Sequence, residues 1–529
     1  MGVVLPPTVV ALPHTRAHTA AENAGSWSHA PLCGALALCV PLIHGYHPYA
    51  EDGGIYLAGI KLCLHPELYQ RSTGFVAAHV QFSIFAHAVA LLARVYPPAL
   101  MGILFALYLL AAFLTLFTAS MVAKQITADV SAQRWSIVLL ATCLTVPVAG
   151  TSLMLMDPYV TARSLALPCV LAAFAATLRL YLRHAYRRDV VIVALSLLAA
   201  VVLHPLSGGY GAAAVATLLA MGRPTLRARC ISMGALVCGA VVACVALRVA
   251  WSDVPVGYSA IAQSRSYWAL SNWAWYEVAG LVAPLVLLLL ISRLRSQTSA
   301  GKLFARAMVV AGLLSAAISL VFVHAHGPDF AVASVQPLRM FQYVYLAMPL
   351  CIGTWLAVSV KHKAISAFLC MAAALSMFAS QRTIYASSNH VEWPWAEPTN
   401  AYEQAFLWVR SNTPVDAAVS VDAQYITAHG EDAHNVRAVT ERSVPADVSK
   451  DGGIAAIRPS LTRDWYDGVA LQRGLALLPD SERLERLNPQ HIGWMILPHT
   501  SSTSFPCPYR NALVSVCHVP TENFVRNAK

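Results

Sequence analysis

Eleven apolar runs, each of a length that approaches or spans a hydrocarbon layer of about 30 Å as a helix, constrain this chain more than any other feature. They fall near residues 30–46, 98–122, 135–153, 163–182, 189–204, 208–222, 230–250, 274–292, 305–325, 340–359 and 364–380. Charge is scarce: 12 % of the 529 residues are Asp, Glu, Lys or Arg, and 57 % are hydrophobic. A soluble domain carries about 25 % charge, so this chain lacks the polar surface that two to four soluble domains need. Disorder and a disulfide-stapled secreted scaffold are excluded by the same numbers. The sequence predicts an all-α polytopic membrane protein of about eleven transmembrane helices, with the lipid bilayer as its partner. A further apolar run, 75–93, carries His79, Gln81 and His87 and ends at Tyr96-Pro97-Pro98. It reads as one helix lying on the membrane surface, inside a first outer loop over 45–97.

The net charge of +10 invites a nucleic-acid partner, and its distribution argues against one. Residues 1–380 hold 23 basic and 10 acidic side chains, a balance of +13, whereas residues 381–529 hold 13 and 16. A basic excess confined to short loops between apolar runs is the positive-inside bias. With a cytoplasmic N-terminal segment over 1–29, fifteen basic residues fall in inside loops, from Lys124 and Arg134 to Lys361 and Lys363. Seven fall outside: Lys61, Arg71, Arg94, Arg163, Arg248, Arg265 and Arg339. Acidic residues sort the other way, with Glu51, Asp52, Glu67, Asp157, Asp253, Glu277 and Asp329 outside. The expected placement is the inner (plasma) membrane, with the chemistry on the extracytoplasmic face. Residues 1–29 show no cleavable-signal pattern, so the first span serves as its own anchor. No repeat of 20–50 residues is visible.

After residue 380 the density of charge rises to that of a soluble domain, and 381–529 reads as an extracytoplasmic α/β domain. A short helix is predicted from Asn400 to Val409, and strands at Ala417–Val421 and Trp494–Leu497. Of 12 cysteines, most sit in apolar runs as small core residues, while Cys507 and Cys517 flank a strand-like stretch and are disulfide candidates in an oxidising compartment. The charged stretch Arg437, Glu441, Arg442, Asp447, Lys450 and Asp451 reads best as a solvated helix, with Arg437 and Glu441 paired at i,i+4. In Asp464-Trp465-Tyr466-Asp467 the indole serves either as a stacking platform for a sugar or as a core aromatic.

Two acidic constellations carry what chemistry there is. Glu51-Asp52-Gly53-Gly54 follows the first span directly, at the membrane boundary, where partial desolvation suits a carboxylate to act as a base or metal ligand. The competing role is capping of the helix that follows. Asp157 lies in a short membrane-flanked loop before Pro158, with Arg163 six residues on, able to hold a phosphate or to pair with the Asp. His204 precedes Pro205 at the outer end of the fifth span, a position that more often serves structure than catalysis. Arg339 enters the tenth span from outside, placed to meet a lipid phosphate or to snorkel.

A carboxylate after the first span, a long outer loop, a second acidic loop, about eleven spans and a terminal outer domain together resemble the GT-C superfamily of membrane glycosyltransferases. The tail stretches Trp408–Pro414, Gly430–Arg437 and Glu441–Ser443 resemble tails in uncharacterised bacterial membrane families of this layout. The resemblance implies a polyprenyl-phosphate-linked sugar as donor and transfer on the extracytoplasmic face of the cell envelope. It implies Asp52 as catalytic base with Glu51 as the fallback, Asp157 as a second acidic group, and Arg339 or Arg163 on the donor phosphate, with His204 beside them. Glu51-Asp52 is not a D-x-D pattern, so a divalent metal cofactor stays open. The competing reading is a non-catalytic transporter, flippase or envelope assembly protein; the span middles are nearly free of ionisable residues, which disfavours an ion-coupled pathway.

Overall fold

The computed structural model describes residues 28–520 apart from 184–186, 252, 295–296, 326–329, 361, 424 and 426–434. Most of the expected N-terminal segment, together with Arg295, Asp329, Lys361 and the Gly430–His434 part of the tail motif, lies outside the described residues. Among the described residues six helices are long and apolar enough to cross a membrane: Leu100–Ile126, Ala162–Leu182, Leu226–Ala250, Ser299–Phe322, Ala331–Ala357 and Lys363–Ile384. The remaining expected spans are shorter. Ala30–His44 has 15 residues, and Arg187–Leu203, Pro205–Met221 and Trp275–Ile291 have 17 each. At 1.5 Å per residue these reach roughly 22–26 Å, short of a full crossing unless the ends are extended by flanking chain. The run 135–153 contributes only the end of Val130–Thr142, because the chain leaves the helix there and doubles back, bridging Pro147 to Met154. Hydropathy registers that apolar sequence without registering where the helix stops.

Leu226–Ala250 contains no buried residue, and its Val242 and Val249 are 65 % and 71 % exposed. Only Cys244 and Leu247 of this helix pack, half-buried, against a buried hydrophobic cluster, and an apolar helix with so much of its surface exposed is at home in lipid and not in water. The run 75–93 is not one surface helix. It forms Thr73–Val80 and Phe85–Val95, bent by 98° to each other. Ser83 makes the break: its hydroxyl accepts from the Phe85 N–H and donates to the Leu203 carbonyl, tying the corner to the helical body.

In the tail, Ala401–Asn412 is capped by the Asn400 side chain, which accepts from Tyr402 N and Glu403 N. A four-stranded sheet follows in the order β1 (Val419–Val421), β2 (Trp494–Pro498), β4 (Val514–His518), β3 (Tyr509–Arg510). β1 runs parallel to β2, which requires a crossover; Lys450–Ile457, Thr462–Gln472 and Asp480–Leu487 supply it. Cys507 and Cys517 are joined by a disulfide at the start and end of the β3–β4 hairpin.

Buried ionic contacts seat the tail on the first-loop helix Glu51–Leu64. Lys61 Nζ donates to the Ala438 carbonyl at 2.7 Å and to Glu441 Oε1 at 2.6 Å. Arg437 pairs in two-pronged fashion with Asp451 at 2.7 and 2.6 Å, and Tyr69 donates to the Arg437 carbonyl. The charged stretch is thus not a solvated helix with an Arg437–Glu441 pair: each of those residues has a partner far from it, and Arg437 and Asp451 are buried. Trp465 is buried as well, its indole N–H donating to the Asp447 carbonyl, so it is a core aromatic.

At the junction between the last long helix and the tail, Tyr46 bridges to Val391, and His47 stacks on Tyr385 and contacts Glu392. Burial pushes the coupled Glu392 and Glu403 carboxyls up to about 8 from an ordinary 4.5. The folded state therefore keeps protons that the unfolded chain releases near 4.5. That contribution to stability is present below the unfolded value and is lost as pH rises through the folded one. The thermal midpoint should fall between about pH 5 and pH 8, and Glu403→Gln should flatten this slope; a wild-type midpoint that rises across the same window contradicts it.

Candidate active site

The first-loop helix begins at Glu51, with Glu51 and Asp52 in its first turn and no side-chain cap on the preceding Ala50. What places it is backbone. Gly45 at φ 78° turns the chain out of Ala30–His44, and His47 N donates to the Pro158 carbonyl at 2.8 Å, stitching the first acidic loop to the second. Gly54 allows the tail to approach, since a Cβ there would sit 2.1 Å from the Asn435 Cβ. The second loop is an inward-folded segment and not an exposed turn: Met156, Asp157, Tyr159, Val160 and Thr161 are all buried.

Arg163, in the first turn of Ala162–Arg183, joins the two loops. Its Nη2 donates to Asp157 Oδ2 at 2.6 Å, and both Nη atoms stand 3.4 Å from Asp52 Oδ2. Asp157 and Arg163 are each 5 % exposed, whereas the Asp52 side chain keeps 36 % of its surface. Asp52 is thus the carboxylate a ligand can reach. Burial opposes its ionisation, but Arg163 and then Arg339 outweigh burial and hold its carboxyl below the usual range. In Asp157 burial prevails over Arg163, and with the Asp52 charge nearby its carboxyl is raised. Two acids that share one guanidinium are thereby set in opposite directions by that guanidinium and by unequal access to water.

Arg339 sits on the short turn Pro337–Met340 that opens Phe341–Ser359. The turn is held by Tyr210, which donates to the Gln336 carbonyl, and by Ser315, which donates to the Pro337 carbonyl. Arg339 lies close enough to influence both Asp52 and Asp157 electrostatically. Among the described residues its guanidinium has no ion-pair partner, and its Nε is buried without a hydrogen bond. Arg163 is committed to two carboxylates, whereas Arg339 is paired with neither of them.

The other named residues divide. His204 borders the same group, but its Nδ1 accepts from Ser207 N as the N-cap of Pro205–Met221. Glu51, at φ 47°, pairs with Lys450 of the tail and so anchors the tail beside Asp52. Tyr56 and His79, stacked with ring centroids 5.5 Å apart, flank Asp52 and were not singled out in sequence. The polar residues inside the apolar 75–93 run were the available signal for His79. For a divalent metal the donor set does not fit: Asp52 and Asp157 face a guanidinium, and among the described residues no three His, Cys, Asp or Glu side chains gather as ligands.

No family model and no curated protein matches the chain. Among solved structures it is similar to the archaeal oligosaccharyltransferase AglB from Archaeoglobus fulgidus, determined in complex with an inhibitory peptide and a dolichol-phosphate. The two are 10 % identical with a TM-score of 0.46, over 90 % of this chain and 70 % of that one. What the described structure defines is a helical membrane protein in which Arg163 bridges Asp52 and Asp157, with Arg339 within electrostatic reach of both acids.

Arg163→Met leaves Asp157 buried without its cation, a loss of about 3–5 kcal/mol for a broken buried pair. The expected result is a markedly lower thermal midpoint, largely restored by combining it with Asp157→Leu; a single variant as stable as wild type removes Arg163 from its structural role.

Proposed function

We propose that this chain is a GT-C-type membrane glycosyltransferase that moves a sugar from a polyprenyl-phosphate donor to an acceptor hydroxyl on the extracytoplasmic face. The observation that carries the reading is the division of labour between the two arginines: Arg163 fixes a pair of carboxylates, while Arg339 beside them is unpaired. In this reading the four short helices and Val130–Thr142 complete an eleven-span body by crossing with their flanking chain. Residues 1–29 lie in the cytoplasm, and the domain from 381 to 529 stands outside the inner membrane.

The chemistry follows from the charges. Asp52, ionised and reachable, accepts a hydrogen bond from the acceptor hydroxyl and orients its oxygen toward the anomeric carbon. The acceptor oxygen forms the new bond to that carbon as the bond from carbon to the phosphate oxygen breaks. The departing electron pair ends on the phosphate, where Arg339 meets the growing negative charge. The hydroxyl proton passes to Asp52 late, because a carboxylate below its ordinary range is a weak base until the acceptor oxygen has become acidic through bonding. Asp157 does not touch substrate in this scheme; with Arg163 it fixes the position of Asp52, and no step is routed through a metal.

Release of polyprenyl phosphate from a panel of polyprenyl-phosphate sugars in proteoliposomes tests this. Asp52→Asn and Arg339→Gln should each lower turnover by about 10²–10³-fold, the scale of losing a base or a charge-stabilising donor. Arg339→Lys should recover part of the loss, and wild-type activity should persist to pH values below an ordinary carboxylate range. Uptake of sugar-lipid without bond cleavage, or full turnover in Asp52→Asn, overturns the assignment.

A further inference from the structure

A groove of about 620 Å³ lies between the start of Thr73–Val80 and the tail, outside the Asp52 recess. Its size is that of a ligand site, and none of the residues of the proposed transfer chemistry lines it. Phe75 lines the groove, whereas His79, one turn further along the same helix, borders Asp52. Phe75 and His79 are one helical turn apart, roughly 6 Å of rise.

The charges in the groove cancel: Arg71 and Arg486 face Asp464 and Asp467. A balanced wall suits neither a phosphate nor a cation. Both arginines are held in place by protein oxygens. Arg71 donates to the Gln490 and His491 carbonyls at 2.8 and 3.1 Å, and Arg486 to the Arg473 carbonyl at 3.1 Å and Glu482 at 2.6 Å. The acids are freer. Asp464 is exposed with no ion pair among the described residues, and Asp467 has only an exposed contact to Arg463 at 3.6 Å. Ser72, 6 % exposed, lines the groove with a hydroxyl that has no hydrogen-bond partner.

Exposed carboxylates, an unpartnered hydroxyl and fixed guanidinium groups over apolar Pro445, Leu471 and Ile492 match a ligand that presents many hydroxyls on one edge and C–H on the other. An extended peptide fits less well. The open edge of β1, which a peptide strand would need, is already covered: Val419 N donates to the Ser443 carbonyl at 2.9 Å, beside an Ala418–Ser443 bridge. We infer that this groove binds a neutral, hydroxyl-rich saccharide chain, at a site distinct from the Asp52 recess.

The test reads binding alone, so it is independent of whether the recess transfers sugar. Neutral maltotetraose, cellotetraose, mannotetraose and chitotetraose, with an uncharged tetrapeptide for comparison, are titrated onto the full chain in nanodiscs by saturation-transfer NMR. At least one tetrasaccharide should bind saturably. The double variant Asp464→Asn/Asp467→Asn should weaken it about tenfold or more, the scale of losing hydrogen bonds to charged groups. Both acids are exposed, so the variant should keep the wild-type thermal midpoint, and Asp416→Asn, exposed elsewhere on the tail, should bind as wild type. No binding of any tetrasaccharide, binding unchanged in the double variant, or preferential binding of the tetrapeptide overturns the inference. Transfer that is lost in Asp52→Asn while tetrasaccharide binding is kept separates the two sites.

Discussion

The Arg163 guanidinium between Asp157 and Asp52 is the contact on which the rest of the arrangement depends. Two carboxylates at the boundary of an apolar body repel each other and resist burial. One fixed guanidinium answers both problems, bonding Asp157 closely and Asp52 loosely. Arg163 opens a long apolar helix, Asp52 lies in the first turn of Glu51–Leu64 and Asp157 in the loop tied to it by the His47–Pro158 hydrogen bond, so the guanidinium joins three separate elements of the body. The looser partner, Asp52, is also the one with surface to spare.

Arg163 bridges Asp52 and Asp157, and among the described residues Arg339 beside them has no ion-pair partner. Under the proposed transfer a phosphate would bring its negative charge next to that guanidinium, whereas a neutral or cationic ligand would gain nothing from it. The tail completes the surroundings by way of Glu51–Lys450 and Lys61–Glu441, which set two charged residues of the first-loop helix against the tail and leave Asp52 facing inward.

Much of this is legible in the sequence, with instructive gaps. Asp52, Asp157, Arg163 and Arg339 stand out because charge at the ends of apolar runs is rare and each needs a reason. Which arginine is spoken for is not legible, since the partner of Arg163 is fixed by how two loops fold inward and not by spacing. The same limit explains Arg437: its i+4 neighbour Glu441 is the local choice, but the fold offers Asp451 in a two-pronged, buried geometry. Helix lengths fail for a different reason. Hydropathy continues through Val146-Pro147-Val148, where the chain turns back, and through Ser83, where a hydroxyl breaks the surface helix into two.

Phosphorus NMR of a polyprenyl monophosphate titrated onto the full chain in nanodiscs reads whether Arg339 receives the donor phosphate, as proposed. A saturable shift of the phosphorus signal is expected in wild type and in Asp52→Asn, and its loss in Arg339→Gln. A shift that persists unchanged in Arg339→Gln contradicts it.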